Sequence, residues 1–132
     1  MHGNGPAPTA WESRRWSWWR EIGCVCCLQR WFYRWPEVHH LLSGGRRRGH
    51  GATIPLCPWH HRAVIEEGAS AETMREMLGP SLADGEPAFH AAFGDDDFLL
   101  SVTDRWVAMM ELTVVGGLGP PEIRELLECE DG

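Results

Sequence analysis

Cys24 and Cys27 stand at C-x-x-C spacing, and thirty residues after Cys27 the chain repeats the step as C-x-x-H with Cys57 and His60. Each step can close a tight turn, and the two turns together present four soft or borderline ligands to one tetrahedral zinc ion. Two distant segments must then meet, which rules out most ways of arranging a chain of 132 residues. A structural zinc adds on the order of 10 kcal/mol to the folded state, enough to decide whether a domain with a modest core folds. Cys26 lies between the first pair at a spacing too tight for the usual turn and is read as a spare thiol. His61 is an alternative to His60 as fourth ligand. His60 is preferred because C-x-x-H mirrors C-x-x-C and leaves His61 free to point elsewhere.

Cysteine use agrees with a reducing compartment. Four of the five cysteines fall within residues 24–57, near most of the histidines. The opening "TAWESRRWSWWREIG" mixes charges with its tryptophans, unlike a secretory signal, and no run approaches the roughly 20 apolar residues of a membrane span. We expect a soluble, cytoplasmic protein with no membrane partner and with metal-ready thiols rather than disulfides.

The net charge of −7 conceals two unlike halves. Residues 1–62 hold nine arginines against three acids, a balance of +6, and residues 63–132 hold three against sixteen, a balance of −13. All twelve basic residues are arginine, whose planar fork binds phosphate through paired hydrogen bonds. The basic half is therefore a candidate phosphate-binding surface.

Residues 1–8, rich in glycine and proline, read as a disordered leader. Thr9 and Glu12 have capping-box spacing and open a helix that runs to about Ile22 and stops at Gly23; most of its tryptophans are expected in the core. "GCVCCLQRWFYRWPE" reads as a turn and loop, "EVHHLL" as a strand, "SGGRRRGHG" as an interstrand loop and "ATIPL" as a second strand. "CPWHHRAVIEEG" starts a helix with Pro58 in its first turn and Gly68 as its stop. "AETMREML", "EPAFHAAFG", "DDDFLLSVTDRWVAMMEL" and "PPEIRELLECE" follow as helices, with Asp95, Asp96 and Asp97 as capping charge on the third. The fold class is α+β, with a zinc-bearing strand-strand-helix core over about 24–68, a helical extension over about 71–115 and a C-terminal helix or tail over 116–132. Residues 9–115 make one domain.

His39 and His40 are adjacent on the first strand, so they point to opposite faces. A strand packed on a helix can bring His39 to His61 to hold a second, hydrolytic metal, while His40 faces an approaching water as a base. The plainer alternative is that the pair packs on the zinc lobe or pairs with acids.

"GCVCC", "EVHHLLSGGRRRGH", "TIPLCPWHHR" and "GPSLADGEPAFHAAFGDDDFLL" together resemble the Ref-type (recombination enhancement function) phage nucleases, a RecA-dependent branch of the HNH or ββα-metal endonucleases. The likeness covers roughly residues 20–107. It implies a small HNH core with flanking helices that hydrolyses phosphodiester bonds in DNA. By the resemblance, Cys24, Cys27, Cys57 and His60 bind the structural zinc, and His39 and His61 bind a catalytic divalent ion such as magnesium or manganese. His40 is the general base. The implied partners are DNA and a RecA-type recombinase filament in a bacterial host, with a phage or prophage origin. The middle asparagine of the HNH signature is missing where this chain has Ala52 and Thr53, and His50 or Thr53 is the candidate substitute. Arg46, Arg47 and Arg48 are candidates for phosphate contact, and His90 is expected as a packed or surface residue. A non-catalytic zinc module that binds nucleic acid or protein is the alternative function. A weaker one is an interaction protein whose acidic half imitates DNA.

Overall fold

The structure is a computed structural model that describes residues 7–43 and 46–114. The expected tail over 116–132 and nearly all of the leader lie outside the described residues. Thr9 caps the first helix, α1 (Ala10–Ile22), as its spacing predicts: its hydroxyl accepts from the Glu12 amide at 3.1 Å and the Glu12 carboxylate accepts from the Thr9 amide at 2.8 Å. Gly23 ends the helix with φ 78°, and a Cβ there would lie 2.7 Å from the Tyr33 ring. Only Trp19 among the α1 tryptophans is fully buried; Trp16 and Trp18 are half-buried and Trp11 is exposed. An unexpected residue joins the buried face, Arg15, which is 2% exposed.

The segment expected as turn and loop contains a helical turn, α2 (Val25–Leu28), capped by the Cys24 side chain. Strands β1 (Glu37–His40) and β4 (Thr53–Leu56) pair antiparallel, with Glu37 opposite Leu56, His39 opposite Ile54 and His40 opposite Thr53. Pro55 lacks an amide and is tolerated because a two-stranded sheet has only edge strands. The arginine-rich loop between them holds a smaller ladder, in which β2 (Leu42–Ser43) pairs with β3 (Arg46–Arg47). β4 is buried along its whole length, since α2 and the long helix over Asp96–Val114 pack against it.

The helix expected to reach Gly68 ends much earlier, as α3 (Pro58–Arg62). Ala63 takes the left-handed conformation at φ 58°, its amide donating to the carbonyls of Pro58 and Trp59, and the Val64 amide bonds the Pro58 carbonyl at 3.2 Å. Val64 and Ile65 are 41% and 46% exposed, so a longer helix would bury little in return for ordering two β-branched residues.

The remaining helices follow the sequence expectation: α4 (Ala71–Leu78), α5 (Glu86–Phe93) after a 3-10 turn at Leu82–Asp84, and α6 (Asp96–Val114). Asp95 caps α6 by accepting the Phe98 amide at 2.8 Å. The core joins the knuckle residues Cys24, Val25 and Cys27 to Leu41, Ile54, Leu56 and Trp59, and on to Met74, Leu78, Phe89, Phe93 and Leu99 from the second half. α6 also packs on α1, so the described part of the acidic half closes over the basic half. The α+β expectation holds, with helices around a small sheet. Among the described residues no helix is long and apolar enough to cross a membrane.

Candidate metal centre and histidine-lined site

Each step of the metal motif is a helix start. Cys24 caps α2 and its Sγ accepts the Cys27 amide at 3.5 Å; Cys57 caps α3 and its Sγ accepts the His60 amide at 3.4 Å. Both caps therefore aim a thiol and the residue three positions on at one point. The Sγ atoms of Cys24, Cys27 and Cys57 and a ring nitrogen of His60 lie within 4.8 Å of one another, all buried. Nδ1 of His60 is 3.4, 3.5 and 3.3 Å from the three sulfurs, and Cys27 Sγ is 3.8 Å from Cys57 Sγ. Zinc–sulfur bonds of about 2.3 Å in a tetrahedron set sulfurs about 3.8 Å apart, so the donor set could hold zinc without rearrangement. The other His60 nitrogen, Nε2, donates to the Leu78 carbonyl at 2.7 Å, which fixes the tautomer with Nδ1 toward the sulfurs. Cys26 is buried outside this set, and burial pushes its thiol pKa up.

His39 and His40 point to opposite faces of β1. The His39 ring meets His61 edge-on, with centroids 5.0 Å apart. His61 Nδ1–H donates to Glu37 Oε1 at 2.9 Å, and Arg62 grips the same carboxylate at 2.9 and 2.5 Å. The Arg62 bonds, followed by that of His61, hold the Glu37 pKa down at about 2. Burial, reinforced by the charges of His61, His40 and His90, pushes the His39 pKa down to about 4, so its imidazole is neutral at pH 7. His90 thus lies close enough to act on His39, while its Nδ1–H donates to the Gly94 carbonyl at 3.0 Å and its Nε2 is 3.6 Å from Asp96.

On the other face His40 Nε2 lies 2.9 Å from Nδ1 of His50, and the Trp16 ring stands edge-on to both imidazoles, 6.3 Å from His40 and 5.3 Å from His50. Burial, then the neighbouring Arg47 and His50, lower the His40 pKa. Behind this pair Thr53 is a hub. Its hydroxyl donates to the His50 carbonyl at 2.7 Å and accepts from Trp16 Nε1 at 2.9 Å and Arg15 at 3.1 Å. Arg15 continues to Asp104 on α6 at 2.8 Å. A hydroxyl has one proton and two lone pairs, so Thr53 is fully used. Of the three loop arginines, Arg46 and Arg47 lie on β3 and are exposed, whereas Arg48 pairs with Asp97 at 3.1 Å. Sequence reasoning missed the Arg15–Thr53–Trp16 network, because an arginine and a tryptophan on an amphipathic helix carry no signal of what they will meet.

The fold and site define a small α+β protein in which a cysteine-histidine set braces a hairpin lined with histidines. A family model described as recombination enhancement, RecA-dependent nuclease matches residues 8–108. The chain belongs to this family, whose name makes it a nuclease and therefore an enzyme, with DNA and RecA as the suggested partners. No curated protein matches the chain at a significant level.

Proposed function

We propose that this chain is a metal-dependent DNA endonuclease of the HNH kind, which cleaves phosphodiester bonds in DNA bound by a RecA-type recombinase in the cytoplasm of a bacterial host of a phage or prophage. The observation that carries the reading is the division of β1 into two faces: His39 toward His61 and its carboxylate, His40 toward His50.

His39 and His61 are the residues that would hold a divalent ion such as magnesium or manganese. His39 is neutral, as a ligand must be, and His61 is oriented by Glu37 in the carboxylate–histidine arrangement common around metals. A divalent ion there supplies neutralisation of the charge that develops on the scissile phosphate and the leaving oxygen. With His40 Nε2–H donating to His50 Nδ1, the lone pair on His40 Nδ1 is left to take the proton from an attacking water. Thr53 ties down the loop at His50, doing the work expected of the missing asparagine. Arg46 and Arg47 are placed to meet backbone phosphates, while Arg48 first has to leave Asp97. The zinc of the Cys24, Cys27, Cys57 and His60 set is structural.

The test is nicking of single-stranded and duplex DNA by zinc-loaded protein with magnesium or manganese, with and without a RecA filament, beside His40→Ala. Cleavage that disappears in the variant at unchanged zinc content is expected. DNA binding without cleavage by the parent protein under any of these conditions would return the chain to a non-catalytic binding module.

A further inference from the structure

Between the first zinc knuckle and β1 runs Arg30–Trp35, "RWFYRW", with an aromatic surface exposed to an unusual degree. Trp31 is 85% exposed, Phe32 39%, Tyr33 52% and Trp35 60%. Trp31 also has φ 63°, the left-handed region that glycine or asparagine fills readily and a bulky residue does not. The turn is firmly made: Arg30 and Phe32 donate to the Cys27 carbonyl at 2.9 and 3.0 Å, and Trp31 donates to the Leu28 carbonyl at 3.1 Å. A tryptophan here strains the backbone and buries almost nothing, so the fold gains nothing from its ring. Such strain at an exposed aromatic is the mark of a residue kept for what its side chain meets.

The loop is a rigid mount. Tyr33 donates from its hydroxyl to the Arg20 carbonyl at 2.6 Å with its ring against Gly23, and the Cys24 amide donates to the Arg34 carbonyl at 3.0 Å. Charge favours an anionic partner. Arg30 is held by the Met77 carbonyl at 3.2 Å and pairs with no carboxylate among the described residues, and the exposed Arg20 flanks the same turn. Exposed indoles beside arginine suit the faces of unpaired bases, whereas bases within a duplex are already stacked on one another. Trp35 also stands four residues before His39 on a continuous run of chain into β1.

We infer that Trp31 and Trp35, with Arg30, form a stacking platform for the unpaired bases of single-stranded DNA and lead that strand toward the histidine-lined site. This rests on the reading of DNA as substrate. The test is binding of a labelled oligothymidylate and of a duplex of equal length to full-length, zinc-loaded protein, with Trp31→Gly and Trp35→Ala as variants over a salt series. Trp31→Gly relieves the left-handed strain, so its Tm is expected to rise while its single-strand affinity falls about tenfold, with duplex affinity unchanged. The salt slope should also stay as in the parent, because stacking releases no counterions. Trp35→Ala should reproduce the selective loss independently of any effect at position 31. Single-strand affinity equal to the parent's in both variants would overturn the inference, leave the nuclease reading intact and assign the patch to a protein partner. Equal loss on single strand and duplex would overturn it as well. Failure of the parent protein to bind either DNA would overturn the nuclease reading together with it.

Discussion

On the proposed mechanism, His50 is the residue that orients His40. Removing it leaves His40 free to rotate and to choose its tautomer, so His50→Ala should lower kcat by about 10–100-fold, as loss of an orienting partner commonly does, with KM for DNA little changed. His50→Asn should retain most of the rate, because the amide oxygen falls near the position of Nδ1 and accepts the same bond. The pH dependence follows from the lowered pKa of His40. A base works unprotonated, so cleavage should be lost as pH falls, with the midpoint below the ordinary histidine value of 6.5. Arg47 is one of the charges that hold that pKa down, so Arg47→Ala should move the acid limb upward. A pH–rate profile of kcat/KM measures both. At this scale the sequence was legible in what comes together, as at the clustering of Cys24, Cys27, Cys57 and His60 and the opposite facing of His39 and His40. It offered His50 and Thr53 as alternatives for the missing asparagine but gave no sign that His50 would meet His40 or that Thr53 would join Arg15 and Trp16, contacts that arise only when β1 and β4 pair and set His40 opposite Thr53.

Elements were legible where a local signal decides them. Thr9 and Glu12 announced the start of α1 and Gly23 its end, and each acts through atoms within four residues of itself. α3 was not legible, because "AVIEEG" continues a helical pattern and nothing local says that Ala63 will turn left-handed. The stop is set instead by lack of a surface to cover Val64 and Ile65. A non-glycine residue in that conformation costs about 1–2 kcal/mol, and glycine returns part of this by loosening the unfolded chain. Ala63→Gly should therefore stabilise the fold by about 0.5–1 kcal/mol, read as a rise in denaturant midpoint at constant m-value. The tie between α1 and α6 is of the opposite kind: Arg15 is 2% exposed and its carboxylate partner Asp104 is 55% exposed. Asp104→Ala leaves a buried guanidinium with the Thr53 hydroxyl and the Trp19 ring face as its described partners, at an expected cost of about 1–2 kcal/mol in the same measurement, reduced from the fully buried case by the exposure of the acid.

For the whole molecule, the metal set joins residues 24–27 to residues 57–60, and the core around it draws in α4, α5 and α6. Removal of zinc by a chelator should therefore unfold the described domain cooperatively, with loss of helical circular dichroism in α4 to α6 as well as in the knuckles. Restoring zinc should restore both the signal and DNA cleavage. The clamp has one more effect, on alignment. Side chains alternate along a strand, so a shift of β1 against β4 by a single residue would turn His39 to the face that holds His50 and His40 to the face that holds His61. A two-stranded ladder of four residues a side has little of its own to resist such a slip. With Cys24 and Cys27 fastened ahead of β1, and Cys57 and His60 fastened directly after β4, the ladder is pinned from both ends. On the roles proposed above, a zinc bound in this set, though remote from the scissile bond, would act as a ratchet stop that decides which of two neighbouring histidines is the ligand and which the base.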